Sequence, residues 1–406
     1  MKSLLKKDVN KYLNYLIIAY AFSFPISKAA VNTIELLLVL LWIYQGDWKY
    51  KFELLKSNKF IVVLFAFILL NIISIFWTSD SGFSANYIGK YHHFLIIPVI
   101  YTALEKKYIS YIFGAFIASM LISEIISYGI YFKLFTFKHA TPEFPTPFMH
   151  HITYSVVLVF TATILLTNFF TQTRVKYKIF DMLFFTTIII NLFINGGRTG
   201  QVIFLVVMFI VLLSYIKNRL KAMLIASAFV VMTLLLAYNF STNFSSRVHQ
   251  FQHGISKIIN ENDYGGQGGM RLALWIVGSE IFLDHPIIGT GIGNEMKDAN
   301  RYASFHKFKT KNMNEFADYH NVFINIAVQL GIVGLALLLS IFYMLFQLKF
   351  KTKQHHILNI TFLVSFVLFS CTHNTIHLMN PMIFFALFTG LFNAISRIET
   401  QKANIS

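Results

Sequence analysis

Three stretches of this 406-residue chain carry polar groups in patterns that could do chemistry. The first is NGGRTGQ, residues 195–201, in which Arg198 stands among Gly196, Gly197 and Gly200 between two apolar runs. A guanidinium is a permanent cation with a planar fork of donors suited to phosphate or carboxylate. The glycines permit a tight turn and close approach of a ligand to the backbone. The second is RLALWIVGSEIFLDHP, headed by Arg271 and preceded by GGQGG (265–269), which reads as a hinge. The third is Tyr319-His320-Asn321, at the mouth of another apolar run. An imidazole with an ordinary pKa near 6.5 can take a proton from a hydroxyl at neutral pH. His151, beside His150, and Arg247 are secondary candidates, as are Tyr319 and Asn321 themselves. His373 and His377 have metal-like spacing without an evident third ligand, so no metal site is expected. The single Cys371 lies in an apolar run and reads as a small buried residue.

The elements that must position these residues are membrane helices. The chain is 56% hydrophobic, 17% aromatic and 13% charged, where a soluble domain has roughly 25% charged residues. Apolar stretches near the length of a bilayer crossing give about twelve candidate spans: 12–27, 31–45, 59–77, 91–104, 108–132, 150–169, 179–195, 200–216, 222–239, 320–348, 355–374 and 379–396. The runs are too long and uniformly apolar for a membrane barrel, so an all-α integral membrane protein is expected. The basic start followed by an apolar stretch and SKAA resembles a signal peptide, but the many later spans favour an uncleaved first helix.

The net charge of +16 would suggest a polyanion partner in a soluble protein. With the N-terminus in the cytoplasm, however, 21 of the 34 Lys and Arg fall in cytoplasmic tails and short loops, and every such connection is basic. The charge is therefore mainly a topological signal under the positive-inside rule, with both termini cytoplasmic and no nucleic-acid partner. This topology puts the 195–201 turn, the segment 240–319 and Tyr319 to Asn321 on the outer face. The expected organisation is a membrane region 1–239 of about nine helices, an outer loop 240–319, and a membrane region 320–406 of about three helices.

The outer loop carries eight basic and eight acidic residues. A loop this long is commonly functional or disordered, and three features favour order. Residues 271–286 read as an amphipathic helix with Leu272, Trp275, Ile276 and Ile281 on its apolar side and Pro286 as a stop. IIGTGIGN (287–294) reads as a tight turn rather than a nucleotide loop, since no strand precedes it. The YHN segment leads directly into an apolar helix. Other readings stand beside the chemical ones: Arg198, Arg247 and Arg271 could contact lipid headgroups, and His320 and His151 could be interfacial polar caps. Glu124, inside an apolar run, is expected to face protein or a water-filled cavity, with no partner identifiable.

GGRTGQVIF, RLALWIVGSEIFLDHPIIGTGIGN and HNVFINIAVQLGIVGLALLL, in this order and spacing, resemble the bacterial O-antigen ligase and polymerase superfamily. FWTSD (76–80) and HHITYSVVL (150–158) resemble its N-terminal half, and the RTG turn with the HPIIGTG and HN segments is more like the ligase branch. The resemblance implies a C-type membrane glycosyltransferase in the inner membrane, with a periplasmic active site and no cofactor or metal. It would move a glycan from an undecaprenyl diphosphate carrier to a sugar hydroxyl of lipid A core. Carried over through the matching motifs, Arg198 and Arg271 would hold the donor diphosphate and His320 would serve the acceptor. Three alternatives remain: a polymerase extending the carrier-bound glycan, a protein O-oligosaccharyltransferase, and a transporter of a lipid-linked glycan.

Overall fold

The computed structural model describes the chain apart from residues 1, 79–80, 241, 294–295, 297–298, 307, 311–312, 314–315 and 402–406. Among the described residues it is all-helical, with isolated bridges but no strand. The first half contains α1 (Lys2–Ser23), α2 (Lys28–Gln45), α3 (Trp48–Ser57), α4 (Lys59–Ile73), α5 (Ser81–Lys90), α6 (Ile96–Ala103), α7 (Ile109–Tyr131) and α8 (His151–Thr171). Then follow α9 (Val175–Ile194), α10 (Arg198–Tyr215), α11 (Arg219–Phe240), α12 (Thr242–Glu261), α13 (Gln267–Asp284) and α14 (Ala299–Phe305). The chain closes with α15 (Val322–Phe346), α16 (Lys353–Ser370) and α17 (Met379–Gln401).

Among the described residues, nine helices are long and apolar enough to cross a bilayer, and the protein is an all-α integral membrane protein. Nine is fewer than the expected twelve, for reasons visible in the chain. The first run is the end of a helix that begins among lysines at Lys2, and α16 opens with the polar KQHH. Residues 91–104 form a 3₁₀ stretch, Tyr91–Leu95, leading into the eight-residue α6. Tighter winding in the middle of a helical path marks a local break.

Burial sorts the helices. The span in α8 is 83% buried and that in α17 is 89%, against 17% in α2 and 22% in α11. The two central helices thus position the others, while the outer ones present apolar side chains to lipid. Glu124 of α7 is buried and accepts from Thr187 Oγ1 of α9 at 3.3 Å, which supplies the partner the sequence could not name.

A second, smaller core lies beside the bundle. Met270, Ala273, Leu274, Val277 and Ile281 of α13 are buried with Ala299, Met313, Tyr319 and Val328. The apolar face of α13 therefore differs from the one expected: Leu272 is exposed, and Leu274 and Val277 point inward. Six of the first eleven residues of RLALWIVGSEI are large and apolar, so the sequence fits two faces; contact with α15 selects one. Gly268 and Gly269 lie within the first turn of α13, which corrects the reading of 265–269 as a free hinge.

The connection after α13 mends a break in α15. Gly331 has φ 62° and ψ −158° inside that helix. The carbonyls of Val328 and Gln329 accept instead from the N–H groups of Thr290 and Gly291, at 2.8 and 2.9 Å. In return Ile332 N–H donates to the Pro286 carbonyl at 2.8 Å. A Cβ on Gly331 would lie 2.2 Å from the Ile287 carbonyl oxygen, so glycine is required by contact as well as by φ. A broken helix at membrane depth is tolerated when protein satisfies its freed groups. The same segment ties the two halves of the chain together, since Thr78 Oγ1 donates to the Ile292 carbonyl at 2.9 Å and Ile292 N–H donates to Ser74 Oγ at 3.2 Å. Thr78 belongs to the FWTSD motif, whose Ser79 and Asp80 lie outside the described residues.

Candidate active site

The NGGRTG turn joins α9 to α10. Asn195 Oδ1 accepts from Gly197 N–H at 2.8 Å, Gly196 takes φ 73°, and α10 begins at Arg198. Gly197 and Gly200 serve helix packing rather than ligand approach: a Cβ on either would fall 2.4 Å from Ser155 Cβ on α8. Ser155 Oγ also accepts from Gly200 N–H at 3.2 Å. Thr199 Oγ1 contacts Thr372 Oγ1 at 3.1 Å, which binds the turn to the α16–α17 connection. The start of α10 is therefore seated on α8, one of the two most buried helices of the bundle, and Arg198 stands at a helix N-terminus, where the dipole favours anions.

Tyr319-His320-Asn321 occupies the junction into α15, and its members do different things. Asn321 caps the helix, its side chain accepting from the N–H groups of Phe323 and Ile324. Tyr319 is fully buried; its N–H donates to Asn325 Oδ1 at 3.0 Å and its carbonyl accepts from Trp275 Nε1 at 3.0 Å. Both secondary candidates are thus anchors for the residue between them. His320 has φ 51°, a left-handed backbone held by Asp318 Oδ1, which accepts from His320 N–H at 2.6 Å. The same oxygen lies 3.1 Å from His320 Nδ1, an ion-pair distance, although the angle is not that of a hydrogen bond.

Asp318 is the residue that sequence reading missed. Burial alone would raise its carboxyl, but the imidazole and backbone N–H of His320 and the field of His373 outweigh that and hold it below the ordinary range. A carboxylate two positions before a candidate general base was the available signal.

Arg271 lies five residues into α13, one turn past its start. Burial pulls its pKa down, opposed by the charge of Asp318. α13 is fixed against α15 by the second core and by Gly278, where a Cβ would come within 3.1 Å of the Tyr319 ring. Arg271 and His320 are thus held by one packing unit.

The three stretches meet around one cavity of about 440 Å³. Its lining includes Arg198, Thr199, Arg271, His320 and His151, with Phe144, Phe316 and the backbone of Gly196, Gly265 and Gly268. Among the described residues that line it, none is acidic. Two guanidiniums, one imidazole backed by a carboxylate and two phenyl rings suit an anionic group attached to an amphipathic one.

Of the remaining candidates, Arg247 lies on α12 with its side chain outside the described residues. His373 and His377 part company. His377 Nε2 contacts Tyr91 OH at 2.9 Å and its Nδ1 contacts Asn374 Oδ1 at 3.1 Å. His373 stacks on Phe369, its ring centroid 6.1 Å from that of His320 and 6.2 Å from that of His150. Burial lowers the His373 pKa to about 4, so it is neutral behind the cavity.

Residues 183–339 match the family described as O-antigen ligase. This span runs from α9 into α15 and contains Arg198, Arg271, Asp318 and His320, so the resemblance carried by the three C-terminal motifs is borne out there. FWTSD and HHITYSVVL lie outside it. A comparison with curated proteins gave no match.

Proposed function

We propose that the protein is an O-antigen ligase, transferring a glycan from an undecaprenyl diphosphate carrier to a sugar hydroxyl of lipid A core on the periplasmic face of the inner membrane. The observation that carries this reading is the convergence of Arg198, Arg271 and His320, separated by 73 and 49 positions, on one cavity. The positive-inside count orients that cavity outward, with both termini cytoplasmic. The donor tail would lie in the outer leaflet, so its diphosphate would sit near the depth of the α10 N-terminus.

The acceptor oxygen attacks the anomeric carbon while the bond from that carbon to the diphosphate oxygen breaks. The bonding electrons and their negative charge go to the departing lipid diphosphate, where Arg198 and Arg271 stabilise them. The acceptor proton passes to His320, and Asp318 stabilises the resulting imidazolium. Asp318 lies on the Nδ1 side, leaving Nε2 for the hydroxyl. Phe144, Phe316 and His151 offer flat faces to sugar rings. A pair of arginines meeting the charge directly, in a lining without acidic side chains among the described residues, supports a reaction that needs no metal. General-base assistance contributes roughly 10²- to 10⁴-fold, and a charge-stabilising donor about 10²- to 10³-fold.

The test is transfer by purified protein in detergent, with lipid-linked glycan, lipid A core and a chelator, comparing wild type with Arg198→Ala and Arg271→Ala. Transfer under chelation that collapses in both folded variants is the expected result. Lengthening of the carrier-bound glycan instead would make the chain a polymerase, and transfer only to a protein acceptor an O-oligosaccharyltransferase. No product with any acceptor would overturn the enzyme reading and direct attention to glycan transport.

A further inference from the structure

Apart from the cavity, the 3₁₀ stretch Tyr91–Leu95 passes against α2 and brings three potential metal ligands together. His93 is buried, and its Nδ1 lies 2.8 Å from Oε2 of the equally buried Glu35. The ring of His92 lies 4.0 Å from that of His93, centroid to centroid. One donor atom from each of Glu35, His92 and His93 falls within 4.8 Å of the others.

Two further features suit a ligand set better than a simple ion pair. Oε1 of Glu35 is buried without a hydrogen-bond partner, a costly state for a carboxylate oxygen in a low-dielectric interior. A Glu35–His93 pair alone leaves that oxygen unsatisfied. His92, which is exposed, has Nδ1 2.7 Å from the Gly89 carbonyl. A carbonyl only accepts, so Nδ1 carries the hydrogen and Nε2 keeps its lone pair, the arrangement in which a metal-binding imidazole is normally held. Tyr20 OH, donating to Glu35 Oε2 at 3.4 Å, supplies a comparable outer contact.

We propose that Glu35, His92 and His93 form a binding site for a divalent transition metal of the zinc class. Two imidazoles and one carboxylate with a remaining open position are a donor set that such ions take. Bond lengths of about 2.0–2.2 Å place neighbouring tetrahedral ligands roughly 3.3 Å apart, so donor atoms already within 4.8 Å of one another need close by at most about 1.5 Å. Rotation of the exposed His92 side chain can supply most of that.

The site would clip α2 to the break between α5 and α6. Tyr91, next to His92, contacts His377, whose ring stacks on Tyr87 at 4.0 Å. His377 belongs to the connection that carries His373 beside His320. Metal occupancy would therefore brace the wall behind the cavity, while the transfer reaction itself passes through Arg198, Arg271 and His320.

The test uses the full chain without a polyhistidine tag, stripped with chelator, dialysed and titrated with Co²⁺. A visible d–d spectrum of a low-coordinate cobalt centre, saturating at one equivalent and displaced by Zn²⁺, is expected. His92→Ala, at an exposed position, should remove the spectrum without unfolding the protein, as should Glu35→Gln. A His306→Ala control should keep it. Zn²⁺ should raise the melting temperature of wild type and leave that of His92→Ala unchanged. Absence of a saturating spectrum in wild type, or its survival in both ligand variants, would overturn the proposal, and neither result depends on glycan transfer.

Discussion

The two arginines of the cavity are held in opposite ways. Arg198 stands on a turn clamped to α8 by Ser155, with two glycines giving the clearance, so its position derives from the central bundle. Arg271 stands on α13, outside the bundle, and its position derives from a small separate core shared with Tyr319 and Val328. One cation is thus fixed by helix-on-helix contact in the membrane region and the other by a satellite core that also seats His320. A cavity lined from two separate packing units can be loosened from either side, and the consequences should differ.

The largest effect is expected from removing the cations themselves. Arg198→Ala and Arg271→Ala should each lower transfer by about 10²- to 10³-fold, with melting temperatures close to wild type. If one variant retains near-normal turnover while the other does not, the two seats do not serve one leaving group. Next comes the satellite core. Leu274→Ala should cost about 2–5 kcal/mol of local stability, read as faster amide exchange in α13 and the Tyr319 region, whereas the exposed Leu272→Ala should change exchange there by less than about 0.5 kcal/mol. Equal effects at the two positions would mean that α13 lies on the membrane surface instead.

A smaller disturbance is expected on the bundle side. Gly200→Ala places a Cβ against Ser155 and should destabilise the turn by about 1–3 kcal/mol, with a fall in transfer and no change in α13 exchange. Ser155→Gly in the same chain should restore part of the loss. Relief by that second substitution distinguishes packing from ligand approach, because a role in ligand contact would be indifferent to Ser155.

The smallest effect concerns the histidine behind both seats. The ordinary imidazole pKa is near 6.5, and burial lowers that of His373 to about 4. The unfolded chain therefore binds the proton first, so the associated stability is present above pH 6.5 and is lost as pH falls from there through 4. His373→Phe, which keeps the stack on Phe369, should flatten the fall in melting temperature over that window. An unchanged slope would show that His373 does not reach buried neutrality.

The sequence made the helical membrane class legible, because long apolar runs leave backbone groups no other way to be satisfied. It also made the two arginines and His320 legible, since a permanent cation or an imidazole at the edge of an apolar run is expensive and stands out. It could not say that Gly197 and Gly200 answer to Ser155, because the partner lies more than forty positions away. Nor could it choose between the faces of α13, whose apolar residues permit both, or foresee that residues 91–104 would break into a 3₁₀ stretch and a short helix.

By itself, then, the chain determined its solvent, its helices and the residue types able to meet a charged substrate, all of which depend on local composition and spacing. Only the tertiary structure decided that three distant stretches share one cavity and that a glycine break in α15 is mended by the segment following α13. Those outcomes depend on contacts between elements far apart in sequence, where packing and hydrogen-bond satisfaction select one arrangement from several that the local pattern allows.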